Sequence, residues 1–302
     1  MALLVAAVLV AGAAPAAHAS QDPNPPWPDV LPPLPVSDTT QPGPVPHCRR
    51  ISMRCIDGNI RRMRRAVDRY GCDHRAVFAM TYMTLSQALR DTMVRDPHFF
   101  RDARYLIVED TVFANYYFYW LHALDRGRPI APAWQIAFSN AAAGDDNAAQ
   151  DMLLGINAHI QRDMPFVIAS VGLVAPDGSS RKPDHNRVNV VLNAAYQTVI
   201  DAVRNRFDPI LAWTNTNGSP ADDVLGLEMV KGWREGVWRN AERLVNAKTA
   251  GDRQQVVDSI EANAANWANL IATGQVPGYR AQRDAYCATH LHGGTSPGAP
   301  VH

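Results

Sequence analysis

From Cys48 to Ala272 the apolar residues recur at helical spacing and nowhere sustain the alternation of a strand. That one pattern predicts an all-α chain. Asp145 to Ala169 is apolar on nearly every side, so it should be a buried central helix around which the others pack. Pro165 lacks an N–H and should kink it. The remaining helices are amphipathic. Ile56, Ile60, Met63, Val67 and Tyr70 form one stripe that stops at Gly71. Further helices should run from Asp73 through Leu89, from Arg101 to Leu124, from Pro132 through Phe138, from Asp184 to Arg206, from Asp222 to Ala247 and from Asp252 to Ala272. Asp184 should cap its helix. The segments Leu173 to Pro183 and Thr214 to Ala221 read as polar loops, and the tail after Thr273 has little pattern apart from Cys287.

The ends differ from this middle. Residues 1–19 carry no charged side chain and close on Ala17-His18-Ala19, the signature of a secretory signal peptide with its cleavage site. Pro15 and small residues interrupt the run before the ~20 residues a membrane span needs. The mature protein is therefore expected to lack a transmembrane segment and to be secreted or to sit on the cell-envelope exterior. Residues 20–47 hold ten of the 22 prolines and read as an extended, disordered leader. Residues 48–290 should form the single multi-helix domain, and 291–302 a flexible tail.

In an exported chain the four cysteines, Cys48, Cys55, Cys72 and Cys287, point to disulfides. Three pairings exist. The helix between Cys55 and Cys72 holds its ends roughly 18 Å apart, whereas a disulfide needs Cα atoms within about 7 Å. Cys48–Cys55 with Cys72–Cys287 is the favoured pairing. CxxC-type metal spacing is absent.

Lys plus Arg equals Asp plus Glu, 29 each, which gives no support to nucleic-acid binding. The eight arginines from Arg49 to Arg69 avoid the apolar stripe and read as a solvated face.

Chemistry is most concentrated around His159 and Asp163. Spaced i, i+4, they share one helical face inside an apolar helix, where each must find a partner. The bland reading is a buried pair that ties helices together. The functional reading is a metal-binding or acid–base pair, for which a divalent metal such as zinc is the expected cofactor. Asp110, beside Glu109 in a helix rich in Tyr, Phe and Trp, and His185 are the further candidate ligands. His159, Asp163 and His185 are the candidate catalytic residues. Arg181, Lys182 and Asn189 are candidate substrate contacts. His74, in the first turn of its helix, reads as exposed. Trp233-Arg234 and Trp238-Arg239 with Glu242 read as core plus an Arg/Glu pair.

The stretches NAHIQRDMPF, DGSSRKPDHNRVN, EDTVFANYYF and WREGVWRNAERL together resemble the actinobacterial domain of unknown function 5995 family, from about Cys55 to Leu244. The resemblance implies an all-helical fold and no established activity. Met164 stands where the family usually has Leu. A weaker resemblance is to the zinc-dependent phospholipase C and single-strand nuclease superfamily, whose metals sit on His-x3-Asp and His-x3-Glu pairs. It would make His159 and Asp163 ligands, but Asn189 offers an amide where the second pair needs a carboxylate. Two functional readings follow. One is a metal-dependent hydrolase of phosphoesters or esters. The other is a non-enzymatic envelope protein that holds a small, lipid-like ligand or a partner between its helices, with the His/Asp cluster a structural polar core.

Overall fold

The computed structural model describes residues 27–36, 46, 48, 50–212, 221–273 and 278–291, with the backbone alone for 211–212 and 221–225. The signal segment 1–19, the rest of the leader, the loop from Thr214 to Pro220 and residues 292–302 lie outside the described residues. Ten α-helices are present among the described residues, and no strand. They are α1 (Met53–Tyr70), α2 (Arg75–Arg95), α3 (Ala103–Asp125), α4 (Pro132–Ala143), α5 (Ala148–Asn157), α6 (Met164–Val171), α7 (Lys182–Arg206), α8 (Ala221–Asn246), α9 (Ala250–Ile271) and α10 (Tyr279–His290).

The stripe on α1 does what its spacing predicts. Ile56, Ile60, Met63 and Val67 are buried, while Arg61, Arg64, Arg65 and Arg69 face solvent. Arg62 lies half-buried against Phe118, its guanidinium carbon 3.8 Å from the ring centre. Each fully buried aliphatic side chain of this kind contributes about 1.5–3 kcal/mol. α1 packs on α2 and α3, and α2 packs along α7.

The central helix is continuous in space from Ala148 to Val171 but changes winding partway. A capping box, Asn147 with Gln150, starts it. From Ala158 to Asp163 it runs as a π-turn, and the Met164 N–H reaches back to the His159 carbonyl. The kink expected at Pro165 thus takes the form of a wider turn immediately before the proline. Together α5, the π-turn and α6 touch α2, α3, α4, α8 and α9, which is the arrangement of a buried hub.

Gly155 lets that hub close up. A Cβ there would lie 2.2 Å from Cγ of Phe78 on α2. Phe78 is itself wedged against Tyr117 and Trp134, with ring centres 5.2 and 5.6 Å away, so it has little room to yield. Gly155→Ala is therefore expected to cost roughly 1–3 kcal/mol through overpacking. Urea unfolding of the variant checks this, and an unchanged midpoint would mean that Phe78 moves freely.

Two expectations are corrected. α7 begins at Lys182, with Arg181 as N-cap, so Asp184 is not the cap of its own helix. Its carboxylate instead accepts the backbone N–H groups of Arg101 and Asp102, which lead into α3, at 2.9 and 2.8 Å. The tail after Thr273 contains α10, held by Cys287 and by Arg283, which donates to the Cys72 carbonyl.

The cysteines pair as Cys48–Cys55 and Cys72–Cys287, each with Cα atoms 5.8 Å apart. Residues Trp27 to Val36 of the leader lie along α7 and α8. A short 3-10 turn, Trp27–Val30, presents the Pro28 carbonyl to Lys182 and Asn186. Glu242 accepts the Leu34 N–H at 2.8 Å. No helix among the described residues is long and apolar enough to cross a membrane.

Candidate functional site

Asp163 is the polar centre of the hub, with no solvent exposure. Its Oδ1 accepts the indole N–H of Trp120 at 3.0 Å and Nη1 of Arg162 at 3.1 Å. Its Oδ2 accepts the indole N–H of Trp134 at 2.9 Å and pairs with Nδ1 of His159 at 3.0 Å. These donors arrive from α3, α4 and the π-turn itself. Arg162 is braced in turn by Glu261 of α9 at 2.7 Å and by the Trp120 and Phe166 rings. Every accepting position of the carboxylate is occupied.

His159 is stacked on Phe113, centroid to centroid 3.4 Å and nearly parallel, and Tyr82 stands at 4.7 Å. Indole and guanidinium can only donate, so Asp163 acts purely as an acceptor, and Nδ1 of His159 must carry its hydrogen. Burial holds the imidazole below its usual pKa, against the pull of Asp163. It is neutral, and Nε2 is a bare lone pair. Among the described residues it has no hydrogen-bond partner.

Asp110 and Glu109 follow each other on α3, both buried. Asp110 accepts Nδ2 of Asn59 on α1 at 3.0 Å, and burial pushes its carboxyl up to about 6. Glu109 is also raised by burial, with the charge of Arg234 and then the hydroxyl of Tyr105 opposing. Such an acid binds its proton more tightly in the native state than in the unfolded one. The stability that Asp110 contributes is therefore fully present below about pH 4, the unfolded value, and is lost as pH rises to about 6. Asp110→Asn should stabilise the protein by on the order of 2 kcal/mol at pH 8 and change little at pH 4. Denaturant unfolding at the two pH values measures it. A variant equally stable to the parent at pH 8 would refute it.

His185 does not join this group in any shared coordination. Its Nε2 donates to the Arg234 carbonyl at 3.0 Å, and its Nδ1 faces Nη2 of Arg234 at 3.3 Å. Burial and then the guanidinium keep it neutral. Arg234 also donates to Asn189 at 2.7 Å and to the His185 carbonyl, and burial pulls it down to about 10. His185 and Asn189 thus clasp α7 to α8 around a buried arginine. The proposed substrate cations are equally committed. Lys182 donates to Pro28 and pairs with Glu235 at 2.8 Å. Arg181 donates to the carbonyls of Val171 and Gly172 and lies over the Tyr105 ring.

His159, Asp163, Asp110 and His185 were expected to converge as metal ligands. The donor set does not fit a metal. Asp163 has spent its lone pairs on N–H groups, His185 has both nitrogens engaged, and Asp110 is bonded to Asn59. Among the described residues no group of three or more His, Cys, Asp or Glu side chains is placed to hold a metal ion. The likeness to the zinc-dependent superfamily therefore rests on spacing alone. His74 is corrected too: it is buried, with Nδ1 2.6 Å from Asp151 Oδ2.

The two carboxyls of α3 and His159 do share something else. A cavity of about 340 Å³ lies between α2, α3, the hub, α7 and α8. Phe78, Leu85 and Leu89 line it from α2, Met152 and Ile156 from α5, Val188, Leu192 and Tyr196 from α7, and Val230 from α8. Its polar positions include Tyr82, Glu109, Asp110, His159 and Arg234, together with the hydroxyl residues Thr81, Ser86 and Tyr196.

Residues 56–274 match the model of a family of unknown function (DUF5995). The chain belongs to that family. Neither the curated proteins nor the solved structures yield a match. In this DUF5995 chain the matched span contains every cavity-lining residue and the whole Asp163 network. The cavity wall was the part that sequence reasoning missed. Glu109 and Arg234 carried a signal, as charges inside apolar helices, but Val188, Leu192 and Val230 look like any core residue.

Proposed function

We propose that the protein binds an apolar small molecule in the cavity between α2, α7, α8 and the central helix, and that it does so outside the cytoplasm, where its two disulfides persist. The observation that carries this reading is the cavity itself: about 340 Å³, walled by aliphatic and aromatic side chains with a handful of buried polar groups. Ligand sites of small molecules run from about 300 to 1,000 Å³ and have this composition. Asp163 and His159 belong to its scaffold. They lock α3, α4 and the π-turn together at the floor.

The test is binding of N-phenyl-1-naphthylamine, an uncharged apolar fluorophore, to the purified protein. Fluorescence should rise saturably with one site per chain. Leu192→Trp places an indole in the cavity and should weaken binding at least about ten-fold, with an unchanged helical circular-dichroism spectrum. No saturable binding by the parent, or equal binding by a folded Leu192→Trp, overturns the reading.

A further inference from the structure

We infer that the seam between α7 and α8 is a receptor for an extended, proline-rich segment of another protein, and that the chain's own leader, Trp27 to Val36, is the ligand that occupies it in cis.

Two helical repeats match at this seam. On α8, Glu228, Glu235, Arg239, Glu242 and Asn246 follow one another at helical spacing and form a single stripe. The leader that lies on them is held extended by its own sequence. Pro32, Pro33 and Pro35 fix their φ angles and keep Leu31, Pro32 and Leu34 out of the α region. An α-helix rises 1.5 Å per residue, so Arg239 and Asn246 stand about 10.5 Å apart along the axis. A polyproline helix rises 3.1 Å per residue and repeats every three, so the carbonyls of Pro32 and Pro35 share one edge about 9.3 Å apart. Arg239 donates to the first at 2.9 Å and Asn246 to the second at 3.1 Å. Between them Glu242 accepts the N–H of Leu34 at 2.8 Å, the one N–H that the run from Pro32 to Pro35 possesses. At the other end Lys182 and Asn186, one turn apart on α7, converge on the Pro28 carbonyl at 2.8 and 3.0 Å. Trp27 donates its indole N–H to Glu228 at 2.8 Å.

These contacts read the backbone and the proline spacing more than the side chains. Val30 is 78% exposed and Leu34 55%. The leader also fills its bed incompletely: a cavity of about 440 Å³ is lined jointly by Pro33 to Val36 and by Leu173, Val174, Trp238 and Glu242. A site that recognises carbonyls at polyproline spacing and has spare room accepts other chains of that spacing, which enter already extended and lose little entropy. The leader prevails over them because it is tethered, at an effective concentration on the order of millimolar.

The test uses the full chain with a site for a sequence-specific protease placed within residues 38–45. After cutting, no covalent bond holds the leader, since the first cysteine is Cys48. A fluorescent synthetic peptide of residues 26–37 should then bind saturably, one per chain, by anisotropy, and at least about ten-fold more weakly to uncut protein. The peptide with Val30→Ala and Leu34→Ala should bind within about two-fold of the original. The peptide with Pro32→Ala, Pro33→Ala and Pro35→Ala should bind at least about ten-fold more weakly. Asn186→Ala and Asn246→Ala in the cut protein should each weaken binding about five-fold, the loss of a neutral hydrogen bond. Absence of binding by cut protein with the parent's circular dichroism overturns the inference. So does loss of the helical spectrum on cutting, which makes the leader a part of the core. Equal binding of the proline-free peptide, or rejection of the Val30→Ala, Leu34→Ala peptide, overturns it as well, the latter because the site would then fit this chain's own leader alone.

Discussion

Asp163→Ala is expected to lose about 3–5 kcal/mol of stability, read as the shift of the urea unfolding midpoint at neutral pH. The substitution removes one small side chain but orphans four donors. The indoles of Trp120 and Trp134 would each keep a buried N–H with no acceptor, at about 1–3 kcal/mol apiece. Arg162 would retain Glu261 and so part of its compensation. His159 would lose the group that orients its ring and fixes its tautomer. Asp163→Asn is not a conservative rescue. Each carboxylate oxygen receives two donors. An amide nitrogen at either position sets N–H against N–H. Asp163→Asn is therefore expected to fall well short of the parent, while His159→Ala alone should cost less than Asp163→Ala because three donors still find the carboxylate. A stable, fully folded Asp163→Ala would show that the network does not hold the hub together.

The sequence made the helices readable wherever one face is apolar and the other is not. α1 is the clearest case, because its arginines and its Ile/Met/Val stripe never share a face. The break near Pro165 was readable from a missing N–H, though not its resolution as a π-turn. α10 was hidden for a physical reason. Its buried positions are Tyr279, Arg283 and Cys287. An arginine sits where a stripe needs an apolar residue, and that arginine donates to the Cys72 carbonyl 211 residues away. His74 was misread for the same reason, since its partner Asp151 comes from another helix. The i, i+4 pairing of His159 with Asp163 was local and therefore legible. The two tryptophans and Arg162 that saturate Asp163 were not, and they are what removes the metal reading. The cavity could not be seen at all. Val188, Leu192 and Val230 would occupy the same positions in a filled core, and only the space between helices distinguishes the two.

Cys287→Ser is expected to lower stability by about 2–5 kcal/mol. The Cys72–Cys287 bond joins residues 215 positions apart and thereby restricts the unfolded chain over most of its length. In the chain-entropy account the stabilisation grows with the logarithm of the loop, so this bond should outweigh Cys48–Cys55, whose partners are seven positions apart. Cys287 is fully buried, and a serine hydroxyl in its place meets an apolar surround without an assured partner. The loss should not be uniform over the molecule. α10 keeps the Tyr279 hydroxyl on Asp208 and the Arg280 guanidinium on the Ala143 carbonyl. It should loosen locally before the hub unfolds, and its amides should exchange with solvent sooner than those of α5 and α6. The measurement pairs urea unfolding with hydrogen exchange on the oxidised parent, the reduced parent and Cys287→Ser. Reduction and substitution should give similar midpoints, both below that of the oxidised parent. A reduced protein as stable as the oxidised one, with α10 equally protected, would mean that the bond adds nothing to anchors the helix already has.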